Sequence, residues 1–254
     1  MLPQPPPLAL SLAGIPTPRG ARALIDTVPS LGPRAVALDA THPELRPRAL
    51  DASARRDLAS LLRRAGLVFA GLDLWIPPEH FADPSKVDRA VDATSAACAL
   101  AGDLARHAAG RALVSLVLPS KPLQGAAPAI ALAAEQAGAH LADHAWPAPS
   151  PPHAPSIDTG IDPAALLIAN ADPTKEASSL LTASCLASAR LSDAGPFGRL
   201  PVSAPGARLD VLAYSVALLT GSFRHHVILD VRGLPDHTAA VYAALHAWTP
   251  PAIP

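Results

Sequence analysis

Eight short apolar runs, each followed by a helical pattern, predict an α/β chain rolled into a closed (β/α)8 TIM barrel, a single domain over residues 1–254. Three observations carry this. Strands that alternate with helices build a parallel sheet, the count of runs is eight, and no GxGxxG turn follows the first run as it would in a dinucleotide-binding open sheet. A length of 254 residues suits a barrel, which takes roughly 250.

The elements follow in order. Leu8–Ile15 reads as the first strand, with a helix from Thr17-Pro18 through Ile25 in which Thr17 is the cap and Pro18 sits in the first turn. Ala35–Asp39 is the second strand. Asp51–Ala65 follows as a helix with Leu58, Leu61, Leu62 and Ala65 at helical spacing, ended by Gly66. Leu67–Trp75 is the third strand, and Asp83-Pro84 opens the helix Ser85–Ala108 before Gly110. Ala112–Leu118 and His140–Ala145 are the fourth and fifth strands, separated by the helix Ala127–Ala137 and Gly138. The segment 147–155 carries Pro147, Pro149, Pro151, Pro152 and Pro155. It reads as an elaborated strand-to-helix loop, because the rhythm resumes after it. Ser156–Ile161, Leu186–Leu191 and Val227–Val231 complete the strands, with helices from Asp162-Pro163 to Ala169, Arg208–Leu219 and His237–Trp248. The helix between the sixth and seventh strands has the weakest pattern.

Composition narrows the functions. Hydrophobic residues are 50% and aromatics 4%, so the core rests on Ala, Leu and Val. The net charge is −1 with no basic block, which argues against a nucleic-acid partner. Arg55-Arg56 and Arg63-Arg64 read as the solvated face of one helix. Cys98 and Cys185 lie far apart in Ala/Ser-rich stretches and read as packing residues of a reducing compartment. Residues 1–7 are proline-rich, lack Lys and Arg, and are expected to be flexible rather than a signal peptide. No apolar run is long enough for a bilayer, so the expectation is a cytoplasmic protein with no membrane partner.

In such barrels the chemistry sits at the C-terminal strand ends. Polar residues there are Asp39 and His42, Asp73, Glu79 and His80, Asp143 and His144, Asp158 and Asp162, Asp193, and Asp230 with Arg232. Carboxylates around one mouth repel one another unless protonated or bound to a cation, and a divalent metal is the economical solution. Several have a plainer reading. Asp39 and Asp73 serve equally well by satisfying backbone groups or pairing with an arginine such as Arg46 or Arg48. Asp83 and Asp162 each precede a proline and read as helix caps. Asp230 and Arg232 share a strand face and suit an internal salt bridge. Glu79-His80 also fit a plain surface loop, and His225-His226 lie at the opposite, N-terminal end. Gly195 to Gly198 and Gly233 are candidates for a phosphate-binding turn.

The segments Leu38-Asp39-Ala40-Thr41-His42-Pro43, Gly71-Leu72-Asp73-Leu74-Trp75-Ile76-Pro77, Ala142-Asp143-His144-Ala145-Trp146, Ala189-Arg190-Leu191-Ser192-Asp193-Ala194 and Val227-Ile228-Leu229-Asp230-Val231-Arg232, in that order, resemble the xylose isomerase-like barrels, a superfamily of sugar phosphate isomerases and epimerases. The resemblance implies a divalent metal (Mn, Mg or Zn) held by carboxylates and a histidine from four strand ends. It places Asp143, Asp162, Asp193 and Asp230 as metal ligands, and Asp143 and Asp230 as the acid/base pair. Arg190, Arg232, His144, Glu79 and His80, polar residues at the same end, are the candidate substrate contacts, for a sugar or sugar phosphate. Two departures stand out. Glutamates of the family pattern are aspartates at 143 and 230, and the histidine ligand position is Arg190, which cannot ligate a metal and adds a fixed charge able to pair with Asp193 or Asp230.

Two functions follow. One is an isomerase or epimerase that moves a proton beside a carbonyl, with metal assistance. The other is a degenerate barrel that binds a sugar or a protein partner without turnover. DNA-lesion cleavage, the chemistry of the related endonuclease IV, is set aside by scattered histidines and near-neutral charge.

Overall fold

The computed structural model describes residues 4–149 and 152–249. Residues 1–3 of the expected flexible start, and 150 and 151 of the proline-rich loop, lie outside them. Eight parallel strands close into a barrel: β1 (Leu8–Ser11), β2 (Ala35–Asp39), β3 (Val68–Asp73), β4 (Leu113–Leu116), β5 (His140–Asp143), β6 (Ile157–Ile161), β7 (Leu186–Leu191) and, after an intervening hairpin, β10 (Val227–Leu229). Neighbours follow chain order, and β10 pairs with both β7 and β1 to seal the ring. The expected (β/α)8 barrel is the fold.

Helices surround it: α1 (Ala21–Thr27), α2 (Ala52–Arg64), α3 (Val87–Ala108), α4 (Ala126–Ala137), α5 (Pro163–Ile168), α6 (Pro173–Thr182), α7 (Val211–Thr220) and α8 (His237–Trp248). Five of them start alike. Asp51, Asp162, Asp172, Asp210 and Asp236 each accept a first-turn backbone N–H, removing an orphan donor of the helix end. Asp83 acts one step earlier, accepting from Ser85 in the turn before α3, so that helix begins at Val87 rather than Ser85.

The first helix departs from expectation. It starts at Ala21, and Thr17 and Pro18 precede it. The Thr17 hydroxyl instead meets His42 Nε2 at 2.8 Å, and Glu44 from the next loop accepts the Ala21 N–H at 3.1 Å. A tertiary contact has replaced the local cap. The weak stretch between the sixth and seventh strands holds two helices, broken where Asn170 takes φ 58° and Asp172-Pro173 restarts the turn. Strands are shorter than the apolar runs that signalled them, because residues such as Leu12, Leu74 and His144 hydrogen-bond onto the barrel beyond the regular ladder.

Alternation along the strands divides the side chains. Leu10, Val36, Leu38, Phe69, Leu72, Val114 and Leu141 pack outward into the main core beneath the helices. The opposite positions are small: Ala9, Ala35, Ala37 and Ala70 gather with Ile228 in a separate cluster. An alanine-lined interior leaves room near the C-terminal strand ends, and buried polar residues occupy it: Ser11, Asp73, Ser115, Ser188 and Arg190. Cys98 is buried within α3 and Cys185 half-buried before β7.

Candidate functional site at the barrel mouth

Arg190, on β7, is the centre of the mouth. Its side chain is 0% exposed. One guanidinium nitrogen bonds Asp73 at the end of β3, and Nη1 meets Asp230 Oδ2 at 3.2 Å. The register makes this possible, since Arg190 stands opposite Ile228 on β10, two residues before Asp230. Ser11 of β1 donates its hydroxyl to the other Asp73 oxygen.

Asp230 collects two more guanidiniums. Arg232 Nη2 lies 2.6 Å from its Oδ2 and Arg199 Nη1 3.4 Å away. Arg199 and Arg232 then reach Asp162, the latter at 3.6 Å, while Ser192 donates to Asp162 at 2.6 Å. Three arginines and three aspartates thus alternate across the mouth. Burial alone would raise the Asp230 carboxyl, but Arg190, the Arg232 hydrogen bond and Arg199 outweigh it and hold the group well below the usual carboxylate range. Burial would likewise discharge Arg190, and Asp73 with Asp230 keep it charged.

Trp75, just beyond β3, lies over this network. Its ring centroid is 3.7 Å from the Arg232 guanidinium carbon and 4.7 Å from that of Arg190. His144 meets its edge at 6.0 Å between centroids and places Nε2 3.2 Å from the Ser115 hydroxyl. Burial, then the charges of Arg190 and Arg232, push the His144 pKa well below its ordinary value, so its ring is neutral. A cavity of about 370 Å³ opens above, lined by Trp75, His144, Trp146, Asp162 and Arg232 with an apolar wall that includes Ile168. That volume suits a small molecule. His144 Nδ1 and Trp75 Nε1, both buried, have no hydrogen-bond partner among the described residues.

The sequence-derived site residues divide into groups. Asp162, Asp230, Arg190 and Arg232 come together, as do His144 and the cavity. The Asp230–Arg232 salt bridge and the Asp162 cap are both present, so those plainer readings describe real contacts. Asp193 is turned elsewhere: one oxygen accepts the N–H groups of Ala194, Arg208 and Leu209 at 2.8 to 2.9 Å and pins the segment before α7. Asp143 accepts from Leu118 and Ala145 N–H, each at 3.0 Å, and its second oxygen lies 3.9 Å from His153 Nε2 of the proline-rich loop. Burial raises its carboxyl pKa against those backbone bonds. Glu79 and His80 stand in the turn Pro78–Phe81 and do not line the cavity. Asp39 is engaged by Thr41, while Asp73 pairs with Arg190 rather than with Arg46 or Arg48. Gly195 and Gly198 belong to an antiparallel hairpin, β8 (Asp193–Gly195) with β9 (Gly198–Leu200), that delivers Arg199 to the mouth.

The expected four-aspartate metal centre does not assemble. Among the described residues no three His, Cys, Asp or Glu side chains are placed to hold one ion. The donor chemistry bears on this: guanidiniums occupy the space between Asp73, Asp162 and Asp230, while Asp143 and Asp193 each give one oxygen to backbone N–H groups and keep the second buried without a hydrogen-bond partner among the described residues. Sequence reasoning also missed Arg199, whose hairpin had no strand-length signal. It passed over Trp75 and Trp146 as ligand contacts although both lie in the segments that carried the resemblance.

No family model matches the chain, and no curated protein matches it in sequence. Solved structures do match over nearly its whole length. The xylose isomerase domain protein from Alicyclobacillus acidocaldarius superposes with a TM-score of 0.67 at 14% identity, over 95% of each chain. A sugar phosphate isomerase/epimerase from Parabacteroides distasonis gives 0.67 at 11% identity, covering 97% of this chain and 94% of that one. The probable 3-DHS dehydratase AsbF from Bacillus anthracis gives 0.65 at 11%, covering 95% and 97%. The chain shares the (β/α)8 barrel fold of these structures.

Proposed function

We propose that the barrel mouth binds a small sugar or polyol and that it does so without metal-assisted turnover. One observation carries the reading. Two of the three tryptophans in an aromatic-poor chain line a single cavity together with His144, Asp162 and Arg232. A polyol's C–H faces fit the apolar wall with Trp146, and its hydroxyls both donate and accept, matching a rim of mixed donors and acceptors. Asp162 and Arg232 supply further acceptors and donors at the rim.

Tryptophan fluorescence titrated with a panel of pentoses, hexoses and alditols tests this. Saturable quenching by at least one of them is expected, and Trp146→Ala should weaken it up to about tenfold. A flat response to the whole panel rejects the ligand class.

A catalytic reading has one feature in its favour: a buried carboxyl with a raised pKa, Asp143, is the kind of group that acts as a base near neutral pH. Asp230 is less suited to the acid/base role, being locked by three guanidiniums. Incubating the bound sugar with protein in D2O separates the two. No deuterium exchange beside the carbonyl fits binding alone, whereas exchange abolished by Asp143→Asn establishes an isomerase or epimerase. Neither reading requires nucleic acid or a membrane. Among the described residues no helix is long and apolar enough to cross one.

A further inference from the structure

We infer that Arg190 is a resident cation, a guanidinium built into the chain that does the charge-neutralising work a bound metal ion would otherwise do at the centre of this mouth. Its side chain has no solvent exposure, and it bridges Asp230, just past the neighbouring β10, and Asp73, at the end of β3 across the barrel. Both carboxylates are then fixed from behind, Asp73 by Ser11 and Asp230 by Arg232 and Arg199. The charges at the centre already balance, three guanidiniums against Asp73, Asp162 and Asp230. An added dication at this centre would face those guanidiniums, and among the described residues no three His, Cys, Asp or Glu side chains are grouped to receive it.

An arginine differs from an ion in ways that matter. It cannot be removed by chelation, its planar fork holds two carboxylates at set angles, and it stays charged at any pH the fold tolerates. Arg190 is therefore a positioning residue. It holds Asp230 where Arg232 can stack on Trp75, and so shapes the floor of the cavity without touching its contents.

The test uses the full-length protein purified without chelator. Wild type should carry substoichiometric Mn, Zn and Mg by inductively coupled plasma mass spectrometry, and its Tm should not move with EDTA or with added Mn2+. Arg190→Met leaves two buried carboxylates facing each other and should lower Tm by on the order of 10 °C. Added Mn2+ should restore part of that loss in Arg190→Met and none in wild type, a response that a merely packing role for Arg190 does not produce. Should Arg190→Met fail to fold, Arg190→Gln carries the same comparison, removing the charge while keeping a hydrogen-bonding side chain. Stoichiometric metal in wild type whose removal lowers Tm overturns the inference. So does an Arg190 variant as stable as wild type, or one that Mn2+ leaves unchanged. The inference is separate from the ligand reading: sugar quenching lost on EDTA treatment counts against the resident cation, and quenching never seen counts only against the ligand.

Discussion

Asp193 and Asp230 each lie just past a barrel strand, β7 and β10, and their surroundings give them opposite work. Asp230 meets three guanidiniums, whereas Asp193 meets three backbone N–H groups through a single oxygen. Removing Asp193 strands those donors in the interior, so Asp193→Ala should cost about 3 kcal/mol in urea unfolding, with little change in sugar quenching. Gly160 is a second residue with a defined duty. A Cβ there would come within 2.4 Å of His144 Nε2, so only glycine lets the imidazole lie against β6 and reach Ser115. Gly160→Ala should displace the ring and weaken ligand quenching severalfold while the far-UV spectrum stays that of wild type. Unchanged affinity in that variant argues that His144 does not touch the ligand.

An aspartate cap is a local device, and a helix begins at Asp162, where a cap was read, and at Asp51, where a helix start was read, although the equally local caps Asp172 and Asp210 went unread. Asp51, Asp172, Asp210 and Asp236 act on N–H groups two or three residues away, and Asp51→Ala should cost about 1 kcal/mol in the same unfolding assay. Where a cap came from another element, the reading failed. Glu44 serves α1 from 23 positions downstream, and nothing near Thr17 announces it. The hairpin β8–β9 was equally silent, its arms being three residues each with no period to detect. It is nevertheless the element that carries Arg199 onto Asp162. Arg199→Ala should leave Asp162 and Asp230 with Arg232 alone on the solvent side, loosening the mouth and weakening ligand quenching.

For the molecule as a whole, buried neutral histidine sets the acid response. The ordinary value for His144 is 6.5, and burial with Arg190 and Arg232 holds it well below that in the fold. The unfolded chain takes up a proton below about pH 6.5 that the folded chain refuses, so stability is complete above that pH and falls as acid is added. His225, pushed down to about 4 by burial and then by Arg111, acts with the same sign. Asp230, held low in the fold, adds a further loss as the pH falls through the carboxylate range. Asp143 opposes them, since its raised carboxyl favours the folded chain while it is protonated. Tm should drop between about pH 7 and about pH 5, and His144→Gln should flatten part of that slope. The strand count, the parallel order and the placement of polar residues at one end were all legible in sequence, because each rests on periodicity or on spacing along the chain. The pairs of Asp230 with Arg232 and Arg190 were legible too, but those that reach Asp73 and Arg199 were not. Arg190 and Asp73 are 117 positions apart, and the arginine was matched to Asp193 or Asp230 because only nearby or motif-linked acids could be weighed. Sequence determined that carboxylates and arginines would gather at the C-terminal mouth. Only the closed barrel, with its register and alanine-lined interior, decided which guanidinium meets which carboxylate, because charge pairing depends on distance in space and on desolvation.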